Sequence, residues 1–280
     1  MAEDRWLKII DDNGTTNVND YISNFIFLEA KSSYPTSVED SITIKGVDGE
    51  LPSAASFSPF PLVVKFGLDG MDEKDINLME QMLRNLFYRR KPYYVVTSDN
   101  PGKKFLVNNP DTNPDYADFS ATRFDMTFTV KKGYSESYLS TDEMSLSNHH
   151  DWQFGNGYLA FDETDDFHHR TKKFRIYNGS SDIIDPTLRH TLNITVHANA
   201  PKGFKIRNIT TGDVFEYTGS LVYTDTFMLK GVYPVKNGSR VGSDTNMSWL
   251  TLEKDFNYFV VEGEGLSDFD IVFSFNFIYR

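Results

Sequence analysis

Phe269-Asp270-Ile271-Val272-Phe273-Ser274-Phe275-Asn276-Phe277-Ile278-Tyr279, near the C-terminal end of the sequence, sets a large apolar side chain at every odd position. Successive side chains of a strand point to opposite faces, so Phe269, Ile271, Phe273, Phe275, Phe277 and Tyr279 are predicted to line one face. Burying each is worth about 1.5–3 kcal/mol gross, or on the order of 10 kcal/mol for the run before chain entropy is subtracted. A slip of one residue would send the whole set to solvent, which pins the register. Such a strand belongs deep in a sheet that packs against a second layer.

The same period recurs upstream. Leu188, His190, Leu192, Ile194 and Val196 read as one face, Phe204 and Ile206 begin another, and Phe124, Met126, Phe128 and Val130 form a third. Turn signals punctuate the second half at Asn178-Gly179, Pro201-Lys202-Gly203, Thr211-Gly212-Asp213, Asn237-Gly238 and Gly263-Glu264-Gly265. Short strands between such turns predict an antiparallel sandwich without helices. In the first half a single helix is predicted from Asp72 to Arg90. Ile76, Met79, Leu83, Leu86 and Phe87 fall at helical spacing, Asp72 is the N-cap, and Arg89, Arg90 and Lys91 complement the C-terminal dipole before Pro92 stops the helix. Strand-like runs surround it at Trp6 to Ile10, Tyr21 to Leu28, Leu62 to Leu68, Tyr93 to Thr97, Lys103 to Val107 and Phe119 to Val130. The fold class is mainly β.

A polar, Ser-rich stretch from Gly133 to Asp151 reads as a linker. The expected division is an N-terminal β domain over 1–140, a linker over 141–152 and a C-terminal sandwich over 153–280. A second irregular region, Lys31 to Asp40 and then Gly46 to Pro61, is long for a connection inside a compact domain and reads as a functional arm.

Composition narrows the function classes. The 280 residues hold 28 Lys+Arg against 40 Asp+Glu, a net charge of −12, with 15% aromatics and no cysteine. No disulfide framework, thiolate zinc site or Cys nucleophile is available. Both halves are acidic, which argues against a dedicated nucleic-acid binder, and Arg89-Arg90-Lys91 and Arg170 to Arg175 read as a helix end and a solvated strand start. The opening Met-Ala-Glu-Asp-Arg-Trp has no basic and apolar regions of an export signal, and the apolar runs fall far short of the roughly 20 residues of a membrane helix.

Candidate chemistry is sparse. Asp162-Glu163-Thr164-Asp165-Asp166-Phe167-His168-His169 gathers acids and imidazoles without the ligand alternation of a calcium loop, and adjacent histidines on a strand point apart, as do His149 and His150. It reads as a solvated acidic loop, and no metal or cofactor is expected. No nucleophile elbow, His-Glu-x-x-His or phosphate loop occurs; Gly155-Asn156-Gly157 and Gly263-Glu264-Gly265 lack a following helix. Glu262 and Glu264 read as hairpin surface charges rather than a glycosidase pair. No catalytic residue is assigned. Trp152 and Trp249 are the candidates for a sugar-stacking platform, against a core or interface role for the aromatics generally. Six Asn-x-Ser/Thr sequons, at Asn13, Asn178, Asn193, Asn208, Asn237 and Asn246, read as products of an Asn- and Thr-rich β composition.

Several segments in order resemble the distal tail proteins of long-tailed phages that infect Gram-positive bacteria. Ile44-Lys45-Gly46-Val47-Asp48-Gly49-Glu50-Leu51 is similar to an early segment of that family, and Trp152-Gln153-Phe154-Gly155 to its domain junction. Phe174-Arg175-Ile176-Tyr177-Asn178-Gly179 with Asp185-Pro186, Ile209-Thr210-Thr211-Gly212-Asp213, and the closing Leu250-Thr251-Leu252, Asn257 and Phe273 to Tyr279 resemble its C-terminal domain. The resemblance implies an N-terminal domain that builds a hexameric ring through a belt-like extension, placed within Ser32 to Pro61, and a galectin-like C-terminal sandwich. It implies a structural hub, not an enzyme, in the virion tail tip of a phage made in the host cytoplasm. Its partners would be other copies, the tail tube protein, the tail-associated tip protein or baseplate and a receptor-binding protein, with viral DNA passing the channel. No inserted carbohydrate-binding module fits within 280 residues. Of the galectin sugar motifs, His197-Ala198-Asn199 echoes the first, whereas Trp249 is followed by Leu250 and lacks the second. The alternatives are a carbohydrate-binding protein recognising host cell-wall polysaccharide and, with least support, a tail-associated glycosidase.

Overall fold

The computed structural model describes residues 5–51, 53–116, 121–144 and 167–280. They fall into two units, residues 1–136 with Arg280, and Ser137–Tyr279. The second unit begins within the expected first domain. The Thr141 hydroxyl donates to the Phe273 carbonyl at 2.8 Å and accepts from the Phe275 amide, which ties this stretch to the C-terminal strand. Residues 145–152 of the expected linker lie outside the described residues.

The first unit runs β1 (Leu7–Asp11), β2 (Gly14–Asn17), α1 (Val18–Tyr21), β3 (Phe25–Ser32), β4 (Ser37–Val38), β5 (Ser56–Phe57), β6 (Phe60–Asp69), α2 (Glu73–Phe87), β7 (Tyr93–Thr97), β8 (Lys103–Val107), β9 (Asp111–Tyr116) and β10 (Ala121–Val130); β11 (Ser135–Ser137) contains the boundary, with Ser137 the first residue of the second unit. The principal sheet has the order β2-β1-β7-β8-β10-β6-β3, and β9 adds to β10. Its backbone is the β6–β10 pair, antiparallel over ten residues from Ala121↔Asp69 to Val130↔Phe60. Both strands alternate, so Phe60, Leu62, Val64, Phe66 and Leu68 meet Phe124, Met126, Phe128 and Val130 on one buried face. Phe66 and Phe124, directly opposite, stack at 5.1 Å.

Helix α2 supplies the apolar face made by Ile76, Met79, Leu83, Leu86 and Phe87, and Phe87 reaches Phe128 at 5.7 Å. Asp72 caps it by accepting from the Asp75 amide at 2.9 Å. The helix ends at Phe87, short of the predicted Arg90, because Tyr88 leaves helical geometry. The basic residues therefore follow the helix. Arg89 donates through Nε to the last-turn carbonyl of Leu86 at 2.6 Å and pairs with Asp11, while Lys91 pairs with Asp12 at 2.7 Å. Tyr21, expected to open a strand, lies in the one-turn α1, and the strand starts at Phe25.

The second unit contains β12 (His168–His169), β13 (Lys173–Asn178), β14 (Leu192–Asn199), β15 (Phe204–Asn208), β16 (Val214–Tyr217), β17 (Phe227–Lys230), β18 (Tyr233–Lys236), β19 (Ser239–Arg240), β20 (Asp255–Glu262), β21 (Ser267–Phe275) and β22 (Ile278–Tyr279). A six-stranded sheet, β12-β21-β14-β17-β18-β19, faces a four-stranded one, β13-β20-β15-β16. Aromatic rings fill the space between them: Phe273 of β21 lies 4.9 Å from Phe259 of β20, and Phe227 of β17 lies 5.1 Å from Phe204 of β15. Among the described residues this unit has no α-helix, only two short 3-10 turns at Pro186–Leu188 and Gly242–Asp244.

Two details differ from the sequence pattern. Phe269, Ile271, Phe273, Phe275 and Phe277 are buried as expected, but Tyr279 is not on that face and Ile278 takes the buried place. The β14–β21 ladder ends at Leu192↔Phe275. Beyond it Asn276 donates to the carbonyls of Ser137 and Leu139, and the Ile278 amide donates to Ser180 Oγ. The chain leaves the pleat, and the alternation restarts in opposite phase. Leu188 is exposed because Asp185 caps the Pro186–Leu188 turn, so the face begins at Leu192, with His190 buried before it.

Candidate interaction surface

The segment between β3 and β6 forms a two-stranded ribbon. Ser33 donates to the Pro61 carbonyl and Ser58 to the Thr36 carbonyl, each at 3.0 Å, and β4 pairs with β5 in the register Ser37↔Phe57 and Val38↔Ser56. Farther out Ile42 and Leu51 exchange both backbone hydrogen bonds at 3.2 and 3.0 Å. The Ile42–Leu51 pair is offset by one residue from the register of the base ladder. The tip turns through Gly46 and Gly49, both at positive φ near +86°, which an L side chain resists.

All described residues from 38 to 56 are exposed. Tyr34 at the base is 93% accessible, and Val38, Ile42, Ile44, Val47 and Leu51 are also exposed. The charged residues of the arm are mainly acidic, with Glu39, Asp40, Asp48 and Glu50 against Lys45. An isolated two-stranded ribbon is marginal in water, and a run of exposed aliphatic side chains marks a surface meant to be covered. This arm is the candidate functional site of the first unit. Irregular composition located it; the apolar side chains supply its chemistry.

No described group of acidic, His or Cys side chains could hold a metal ion. Asp162 to Asp166, His149, His150, Gly155 to Gly157 and Trp152 lie outside the described residues. His168 contacts Asp270 at 2.7 Å, and the His169 ring stacks on Phe174 at 4.5 Å, so the two imidazoles do serve different neighbours. A cavity of about 190 Å³ between α2, β9 and β10 is lined by Leu83, Tyr88, Tyr116, Phe124 and Met126; Glu80 on its wall is bound by Arg84 and Tyr116. No described helix is long and apolar enough to cross a membrane.

Trp249 is 39% accessible. His197 and Asn199 hold the 222–225 loop in place: His197 Nδ1 meets the Asp225 carbonyl at 2.9 Å, and Asn199 accepts from the Tyr223 amide and donates to Asp268. Two of the sequon side chains, Asn178 and Asn208, are fully buried. Asn178 donates to the carbonyls of Leu252 and Glu253, and Asn208 to that of Thr251.

Asp225 anchors the same loop. The Asn237 amide, then Lys236 and the Val222 N–H, hold its carboxyl down at about 2. The folded value is below the unfolded one, so the contribution to stability is complete above about pH 4 and is lost as pH falls toward 2. An NMR titration should show the Asn237 side-chain and Val222 amide signals steady from pH 7 to 4 and moving together below pH 3. Movement centred at pH 4 would refute the clamp.

Residues 12–130 match the family described as the phage tail protein RIFT-related domain. Among solved structures the chain is similar to the Dit protein (gp 19.1) of phage SPP1, described as a paradigm of the hub adsorption apparatus in Gram-positive infecting phages. The TM-score is 0.67 at 14% identity, covering 97% of this chain and 99% of that one. It also aligns with a chain of the phage P2 baseplate in its activated conformation with Ca, at a TM-score of 0.47 and 12% identity over 98% of each chain. No curated protein matches the sequence.

Proposed function

From a chain that carries the phage tail protein RIFT-related domain over residues 12–130, and the fold of a distal tail protein over nearly its whole length, we propose a structural, non-enzymatic tail hub. In this reading the protein forms a hexameric ring at the virion tail tip, joins the tail tube to the tip protein or baseplate, and lets DNA through its channel. The exposed ribbon between β3 and β6 is the observation that supports it.

The mechanism is geometric. A ribbon that is covered by a different surface of the next copy makes a heterologous contact, which repeats until the ring closes. Magnitudes say how. Six apolar side chains, Tyr34, Val38, Ile42, Ile44, Val47 and Leu51, offer on the order of 10 kcal/mol gross per junction. Association costs about 4–15 kcal/mol in lost freedom. One junction alone is close to balance, whereas the last junction of a ring forms within one assembly and escapes most of that cost. Open dimers and trimers should therefore be scarce. The net charge of −12 suits a channel that DNA passes without adhering.

Native mass spectrometry over a concentration series tests this. Six copies, or a multiple of six, should coexist with monomer and little between. A strict monomer at every concentration would overturn the ring and bring forward the saccharide reading, with Trp152 and Trp249 as the residues to replace.

A further inference from the structure

The outer face of the four-stranded sheet carries a pattern the hub role does not use. Phe259, Val261, Ile206 and Ile176 point into the sandwich, so the alternate residues face outward. The register places Lys173 and Arg207 on either side of Val260, and Arg175 beside Tyr258, with Val214 beyond Arg207. Ile209 donates its amide to the Tyr258 carbonyl at 2.7 Å and so continues the Tyr258 row. Tyr258 and Ile209 are 54% and 55% accessible, and the Arg175 guanidinium lies 4.4 Å from the Phe256 ring centre.

Two strand spacings put Lys173 and Arg207 about 10 Å apart across β20. Neither has an ion-pair partner among the described residues. The acids of this face stand one row away: Glu216 pairs with Lys205 at 3.1 Å, and Glu262 is opposite Lys205. The result is an apolar stripe of Tyr258, Val260 and Ile209 flanked by cations, on a chain whose net charge is −12.

We infer that this face docks an acidic protein partner, through a segment that sets an apolar or aromatic side chain between carboxylates. Charge complementarity selects an anionic occupant. The flat apolar centre with a charged border is the anatomy of a protein interface, in which Tyr and Arg dominate the energy. Tyr258 and Val260 would be covered, and Lys173 and Arg207 would steer and register the partner.

The full-length protein is to be titrated at low salt with poly(Glu,Tyr) 4:1 copolymer, poly-L-glutamate and poly(glycerol phosphate). The copolymer should bind most tightly and weaken with added salt. Lys173→Glu/Arg207→Glu should bind it about tenfold or more weakly, and Tyr258→Ala severalfold more weakly with a reduced preference over poly-L-glutamate. If the charge reversal fails to fold, Lys173→Ala/Arg207→Ala gives the same comparison. No binding by the wild-type chain, or affinity unchanged in the variants, overturns the inference. Tighter binding of poly(glycerol phosphate) overturns it in favour of a surface for polyol-phosphate polymers.

Discussion

A protein in which residues 38–56 are replaced by Asn-Gly should fold and yet fail to assemble. Ser37 and Phe57 are directly paired, so a two-residue turn of the Asn-Gly type closes that ladder at the right separation. No described residue from 38 to 56 belongs to the core of the first unit, which is built from β1, β3, β6, β7, β8, β10 and the two helices. Calorimetry should give a melting temperature within a few degrees of the parent, since exposed deletions of this kind change stability little. Native mass spectrometry should give monomer only. Hexamers that survive this replacement would place the ring contacts elsewhere in the molecule and remove the arm from the mechanism.

Phe273→Ala should produce the largest loss of stability of any single substitution considered. The ring is fully buried, tilted against Phe259 at 4.9 Å and edge-on to Phe174 at 5.8 Å. Truncation removes the transfer energy of the ring and leaves a cavity bounded by aromatic side chains that are themselves held from both sheets, so little collapse is available. The expected cost is about 3–5 kcal/mol. Against a typical domain stability of about 5–15 kcal/mol, this should lower the melting temperature of the C-terminal unit by roughly 10 °C. Val272→Ala on the opposite face, where the side chain is only partly buried, should cost about 1 kcal/mol or less. Equal effects at the two positions would mean that the alternation does not describe what the strand buries.

What the sequence revealed depended on range. Period-two runs on β10, β14 and β21 were readable because burial on one face forces alternation within a single strand. The helix was readable from its spacing and from Asp72, but not its last turn. Arg89 prefers Asp11, a partner 78 residues away that no local pattern contains. The Tyr279 and Ile278 exchange depends on Ser137 and Ser180, equally remote. The arm was legible as an irregular segment, while its ladder and its accessible Ile42 and Leu51 needed coordinates. The cationic face was invisible for the same reason. Lys173 and Arg207 stand 34 residues apart and meet only because both register against Val260.

The ribbon has a further consequence, for proteolysis. Between residues 32 and 64 the chain contains a single basic residue, Lys45. It sits at the tip, immediately before Gly46, in an exposed turn that a protease cleft can enter. Trypsin can therefore cut a free subunit's arm at one bond, Lys45–Gly46, while a subunit whose arm is covered keeps that bond out of reach. In the proposed ring, therefore, resistance of the Lys45–Gly46 bond to trypsin would report that a neighbour covers the arm.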